Sequence, residues 1–180
     1  MVSVKQATTD IWRFHEQGYY IVIPTNLYVT KDGKAVMGRG LALQAVQKWP
    51  QAPIWYGFHL IEHIRSTPYG RNPHMEDINP YDLLAVNHEW RALFLPVKTT
   101  WQQQARKGLI EASLANLATL LDKPVLKGVQ LAIPRLGCGN GGLHWVIDVK
   151  PIMGPFLEGL TDENRARLVI VHPPEEYLVG

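Results

Sequence analysis

The chain has 180 residues, 46% of them hydrophobic and 19% charged, with a formal net charge of +2. That length sets the expectation of one domain, 1–180, with a substantial core, and the composition is that of a soluble globular protein rather than a disordered one. The small positive charge excludes a nucleic-acid footprint built on electrostatics alone, and the single cysteine, Cys138, excludes an internal disulfide and points to a reducing, cytoplasmic setting.

No apolar run reaches the length of a membrane span, and the N-terminus has no signal-peptide pattern. Residues 2–6 open a first strand. Thr8-Thr9-Asp10 ahead of Ile11-Trp12-Arg13-Phe14 reads as an N-cap before one or two helical turns. Asp10 is then either that cap or an acceptor for a ligand amine. Residues 19–23, Y-Y-I-V-I, are continuously β-branched and aromatic, the pattern of a strand buried on both faces in a parallel or mixed sheet. Pro24-Thr25-Asn26 ends that strand, and Asp32-Gly33 marks a turn. Met37-Gly38-Arg39-Gly40 follows, then an apolar-periodic helix over residues 41–49. Beyond Pro50 and Pro53 a further helix is predicted over 54–64, with His59 and His63 at i, i+4. No third ligand sits at metal spacing, so no metal site is expected. Residues 66–80 hold Pro68, Gly70, Pro73 and Pro80 and read as a long polar loop, a surface excursion or a lid.

Residues 83–86 and 92–97 read as neighbouring strands joined by a polar turn. The second carries Lys98, Thr99, Thr100 and Trp101 at its mouth. A lysine there is either a solvated strand end or an amine held near a sugar or phosphate, with Trp101 as a wall. Residues 102–121 are predicted as one amphipathic helix, with Leu109, Ile110, Leu114 and Leu117 on its apolar face. The next strand, 126–133, runs into the stretch 131–145, L-A-I-P-R-L-G-C-G-N-G-G-L-H-W, in which four of six residues from Gly137 to Gly142 are glycine. A helix over 146–157 and a last strand over 167–171 complete the alternation. His172-Pro173-Pro174 begins the tail.

Two buried strands thus empty into glycine loops ahead of helices, one near Met37 and one around Cys138. Either alone is a tight turn that needs positive φ. Glycine also lets backbone N–H groups approach an oxyanion, and a helix N-terminus adds partial positive charge. Two such loops at the carboxyl ends of strands are placed to close on one diphosphate from two sides. Cys138 is a small residue filling a turn or a nucleophile, although no base is paired with it in the sequence.

These features together resemble the macro domain, an ADP-ribose-binding fold. Thr9-Asp10-Ile11 is similar to its G-D-I element. Pro24-Thr25-Asn26 followed by Val36-Met37-Gly38-Arg39-Gly40-Leu41-Ala42 is similar to the asparagine and M-G-K-G-I-A segment of one branch. Phe94-Leu95-Pro96-Val97-Lys98 with Trp101 is similar to that branch's F-P-T-K…W segment, and 134–145 to its P-x-L-G-C-G-N-G-G-L-x-W loop. The branch holds the DarG antitoxin macro domain, which removes ADP-ribose from thymidine in DNA, and the terminal ADP-ribose glycohydrolases, which act on carboxylate-linked ADP-ribose. The resemblance implies a three-layer α/β/α fold with a central mixed, largely parallel sheet, and hydrolysis of ADP-ribose from a DNA base or a protein carboxylate. A reader module without turnover and an ADP-ribose 1″-phosphate phosphatase are the alternatives.

The resemblance assigns Lys98 and Asn26 as catalytic. It assigns binding to Asp10, Ile11, Met37, Gly38, Arg39, Gly40, Leu41, Thr99, Trp101, Gly137, Cys138, Gly139, Asn140, Gly141 and Gly142. Neither metal nor cofactor is implied. The expected partner is ADP-ribose or an ADP-ribosylated macromolecule, DNA included, met by a monomer away from membranes. The chain departs from the pattern in a longer 26–37 segment, in Pro24 where an asparagine is common, and in Gly141 where the terminal glycohydrolases carry an aspartate. The last departure favours the DarG type over a lysine–aspartate mechanism.

Overall fold

The computed structural model describes residues 2–66 and 78–174. Most of the predicted 66–80 loop therefore lies outside the described residues. The strands are β1 (Lys5–Thr8), β2 (Tyr20–Asn26), β3 (Ala85–Asn87), β4 (Ala92–Lys98), β5 (Leu131–Ile133) and β6 (Leu168–His172). They form one six-stranded sheet in the order β1-β6-β5-β2-β4-β3. Only the β3–β4 pair is antiparallel. This is the mixed, largely parallel sheet expected.

The helices are α1 (Trp12–Glu16), α2 (Gly40–Lys48), α3 (Ala52–Glu62), α4 (Lys107–Leu121), α5 (Lys150–Glu158) and α6 (Asp162–Ala166). Consecutive strand residues point to opposite faces, yet Ile21, Val22 and Ile23 are all fully buried, as are Leu93, Phe94 and Leu95. Both faces of the central strands are therefore covered, which makes three layers. On the face shown by Thr25 and Phe94, α3 lays the Tyr56 ring on Phe94 at 5.1 Å, and the Tyr56 hydroxyl shares a hydrogen bond with Thr25 Oγ1 at 2.8 Å. Helix α4 packs on β4 and α5, with Ser113 Oγ donating to the Pro96 carbonyl at 2.8 Å.

Several element boundaries differ from the sequence-based ones, each for a local reason. Strand β2 continues through Pro24 to Asn26. Tyr20 N–H bonds toward the β5 side and Ile21 N–H toward β4, so Pro24 lacks its donor on the β5 side. There β5 pairs with β2 only as far as Ile21, and no ladder bond is lost. The register then slips between Thr25 and Asn26, which sets Asn26 opposite Lys98. Helix α4 begins only at Lys107, because the preceding residues are tied elsewhere: Ala105 N–H donates to the Gly141 carbonyl and Arg106 N–H to the Val97 carbonyl, both at 2.8 Å. Residues Pro124–Leu126 form a 3₁₀ turn rather than the start of a strand, and Gly128 turns with φ +73° before β5. The helix expected over 146–157 is a π-turn, Trp145–Val149, continued by α5. Helix α6 has no counterpart in the sequence reading. Its N-terminus is capped by Thr161 Oγ1, which accepts the Asn164 N–H at 3.1 Å.

Candidate active site

The carboxyl ends of the parallel strands face one edge of the sheet, and a cleft of about 1050 Å³ opens there. Both glycine loops line it. In the first, Arg39 is extended and Gly40 opens α2 with φ +58°. A Cβ on Gly40 would stand 3.2 Å from Asn140 Nδ2 of the second loop, so the two loops are in direct contact. Gly40, Leu41 and Ala42 all line the cleft, and as the first turn of α2 their N–H groups have no intrahelical acceptor. In the second loop Gly137 has φ +72°, and a Cβ there would meet Ile110 Cδ1 at 2.9 Å and Leu143 Cδ1 at 3.0 Å. The left-handed φ favours glycine at Gly137.

Lys98, the last residue of β4, lies between the loops. Its Nζ donates to the Asn140 carbonyl at 3.3 Å and reaches the Trp101 carbonyl at 3.5 Å. Burial, and next the Arg39 guanidinium, hold its pKa below the ordinary lysine range. Trp101 is 46% exposed and forms part of the wall. The lining carries Lys98, Arg39 and Arg135, and among the described residues no aspartate or glutamate. A cleft of one sign of charge with low-dielectric walls concentrates an anionic ligand.

Asn26 lines the cleft, but both ends of its amide are engaged. Nδ2 donates to the Val36 carbonyl and Oδ1 accepts the Tyr28 N–H, each at 2.9 Å. It pins the 28–36 excursion, which a Val29–Ala35 bridge closes on itself. Met37, Gly38, Leu41, Cys138, Gly141 and Gly142 are also in the lining. Four expected residues are not. Asp10 Oδ1 accepts the Trp12 N–H at 3.0 Å, the capping role, and Ile11 is buried in the core. The Thr9 N–H bonds the His172 carbonyl at 3.1 Å, which keeps Asp10 at the end of β6 on the same sheet edge. Thr99 turns its hydroxyl to Gln103 Oε1 at 2.6 Å. Gly139 sits exposed at the start of the second loop's short turn.

The Cys138 thiol is half-buried and pushed up to about 11 by that burial, so it stays protonated near neutrality and fills the turn. His59 stacks on His63 at 4.8 Å and bonds the Asp82 carbonyl at 3.0 Å, a packed pair. The sequence reading missed Gln102, Gln103, Gln104, Tyr28, Thr30 and Arg135, all in the lining. Three successive glutamines carry no apolar period, the signal that could have separated them from the helix that follows. Arg135 was visible as a cation between Pro134 and Leu136, inside the glycine stretch itself.

As a whole the cleft can take a doubly charged group between two sets of backbone N–H donors. It presents an amine of reduced basicity to whatever lies beyond. The same fold is found in solved proteins. The macrodomain of Mycobacterium tuberculosis DarG aligns over 97% of this chain and 99% of its own, with a TM-score of 0.68 at 20% identity. The chain has the macro domain fold. In sequence, 74% of this macro domain is 30% identical to a DNA ADP-ribosyl transferase–DNA ADP-ribosyl glycohydrolase fusion protein of Thermosipho africanus, of which it spans 36%. The solved Thermosipho africanus DarTG in complex with ADP-ribose aligns with 87% of this chain and 38% of its own, with a TM-score of 0.57 at 23% identity. No family model matches the chain. The macro domain spans about a third of the length of the curated relatives it matches.

Proposed function

We propose that this macro domain binds ADP-ribose across its two glycine loops and hydrolyses it from a modified target, a DNA base or a protein carboxylate, as a DarG-like ADP-ribosyl glycohydrolase. One observation carries this: both loops and the Lys98 amine share a single cleft whose charges are all positive among the described residues. The diphosphate lies against the N–H groups near Gly40 and Gly141, with Arg39 beside it. Asp10 takes the adenine amine at the neighbouring strand end, and the distal ribose reaches Lys98 with Trp101 as its wall. The bond to be broken is the glycosidic bond at the anomeric carbon, through an oxocarbenium-like transition state. Lys98 acts there by protonating the leaving group, or by attack of its neutral amine on C1″. That attack breaks the glycosidic bond, expels the DNA base or carboxylate with the amine's proton and, as the ribose ring opens, leaves a Schiff base that water hydrolyses to ADP-ribose and free Lys98. Capture needs the neutral amine, the form that burial and then Arg39 favour at Lys98 relative to a free lysine. Asn26 serves by pinning the first loop.

The lack of a carboxylate in the described lining supports a second reading, a reader that holds ADP-ribose without turnover. In either case the domain works alone in the cytoplasm as a monomer, with neither metal nor cofactor. Incubation with ADP-ribosylated DNA, ADP-ribosylated protein and ADP-ribose 1″-phosphate separates the cases. Release of free ADP-ribose from either macromolecule is the expected result, and release of inorganic phosphate from the third identifies a phosphatase instead. Binding without product identifies the reader, and no heat with ADP-ribose in calorimetry ends the whole reading.

A further inference from the structure

We infer that Arg135 is a further ligand-binding residue of the cleft and that His172 is the positioning residue that aims it, so that affinity for ADP-ribose requires a neutral His172. This deepens the proposed function and rests on the cleft being an ADP-ribose site. Arg135 follows β5 and lines the cleft. Its guanidinium lies over the Trp145 ring, 5.6 Å from the centroid, and its Nε donates to His172 Nδ1 at 2.9 Å. His172 ends β6, meets the Trp145 ring edge-on at 5.4 Å, and its Nε2 lies 2.8 Å from Gln6 Oε1 on β1.

The hydrogen roles in this chain follow from arginine chemistry. A guanidinium has no acceptor, so His172 Nδ1 must accept. The imidazole proton then sits on Nε2 and is donated to Gln6 Oε1. Gln6, His172 and Arg135 thus link the ends of β1, β6 and β5, three neighbours in the sheet. Among the described residues, hydrogen bonding uses Nε of Arg135. Among the described residues its two terminal nitrogens make no other hydrogen bond, which leaves a fork suited to phosphate oxygens.

Protonated, His172 would lose the acceptor lone pair and set a cation against the guanidinium. The charged groups bearing on it are Arg135 beside it and Lys150 from α5, both cations, while Gln6 and Trp145 face it without charge. Burial first, then Arg135 and Lys150, hold its pKa below the ordinary histidine range. The neutral form is therefore favoured at neutral pH, and the aim of Arg135 is lost as the pH falls through the acid side.

The test is calorimetry with ADP-ribose at about pH 7.5 and about pH 5, with thermal melts to confirm folding. Wild-type affinity is expected to fall about tenfold on acidification, the value of one charge-assisted hydrogen bond. Arg135→Ala should be weaker by about the same factor already at the higher pH and lose the pH dependence. Arg135→Lys, which keeps the charge but not the fork, should recover only part of the loss. His172→Ala should be weak at both values, whereas His172→Asn, whose carbonyl still accepts the Nε–H, should rescue binding and give a flat profile. Arg135→Ala with wild-type affinity, or a His172→Asn profile that still falls in acid, overturns the inference. Wild-type protein that fails to bind ADP-ribose at the higher pH would instead sink the parent reading.

Discussion

Lys98 is set apart from an ordinary surface lysine by its neighbours. It has two carbonyl acceptors, partial burial, and Arg39 close enough to oppose its charge. In the proposed reaction its amine touches the distal ribose, whereas the diphosphate is held by backbone groups. Lys98→Ala should therefore cut turnover by at least about a hundredfold and leave ADP-ribose affinity within a few-fold of wild type. Single-turnover assays and calorimetry on one preparation check both halves, and full residual activity would refute the assignment. If capture by the neutral amine limits the rate, the rate should climb with pH along a limb lying below that of a free lysine. In Arg39→Met that limb should move to higher pH, because the opposing charge is gone.

Among the elements, the second glycine loop depends on backbone conformation. Gly137 has a left-handed φ that strains any residue carrying a Cβ, and an added Cβ would also press on the Cδ1 ends of Ile110 and Leu143. Gly137→Ala should destabilise the fold by about 1–3 kcal/mol and weaken ADP-ribose binding, since the loop relieves the strain by moving. Gly108, in the first turn of α4, has no atom within 4 Å of an added Cβ and has no positive φ. Gly108→Ala is the matched control and should gain about 0.5–1 kcal/mol. Urea unfolding of the pair reads both signs. This asymmetry also explains what could be foreseen. The glycine spacing announced both loops, but that Gly40 faces Asn140 across the cleft depends on strand order, which no local pattern carries.

For the molecule as a whole, stability should respond to acid through the layer between α3 and the loop at Asp82. His59 is packed against Tyr56 and His63, and burial pushes its pKa down to about 4 from 6.5. The unfolded chain binds the proton more readily, so this contribution is whole above pH 6.5 and is lost as the pH falls toward about 4. The loss is of the order of 3 kcal/mol. Half-buried Asp148 and exposed Asp162, held below the usual carboxylate range first by hydrogen bonds from the His144 and Val2 N–H groups, add losses only at still lower pH. Urea unfolding across this range should show a decline that is flattened in His59→Gln, and an unchanged slope in that variant would assign the effect elsewhere.

The sequence alone determined the alternation of strands and helices, the burial of β2 on both faces, and the residues of both glycine loops. Each is written in short-range pattern: runs of β-branched residues, helical period, glycine spacing. Tertiary structure decided what those pieces meet. Asn26, expected to be catalytic, spends its amide on Tyr28 and Val36, beside the register slip at the end of β2. Gln102, Gln103 and Gln104 leave the predicted helix, because Ala105 and Arg106 bond backward to Gly141 and Val97. Arg135 is aimed by His172 across 37 residues of chain. Such pairings are set by which strands lie side by side, a long-range choice made by the core as it closes.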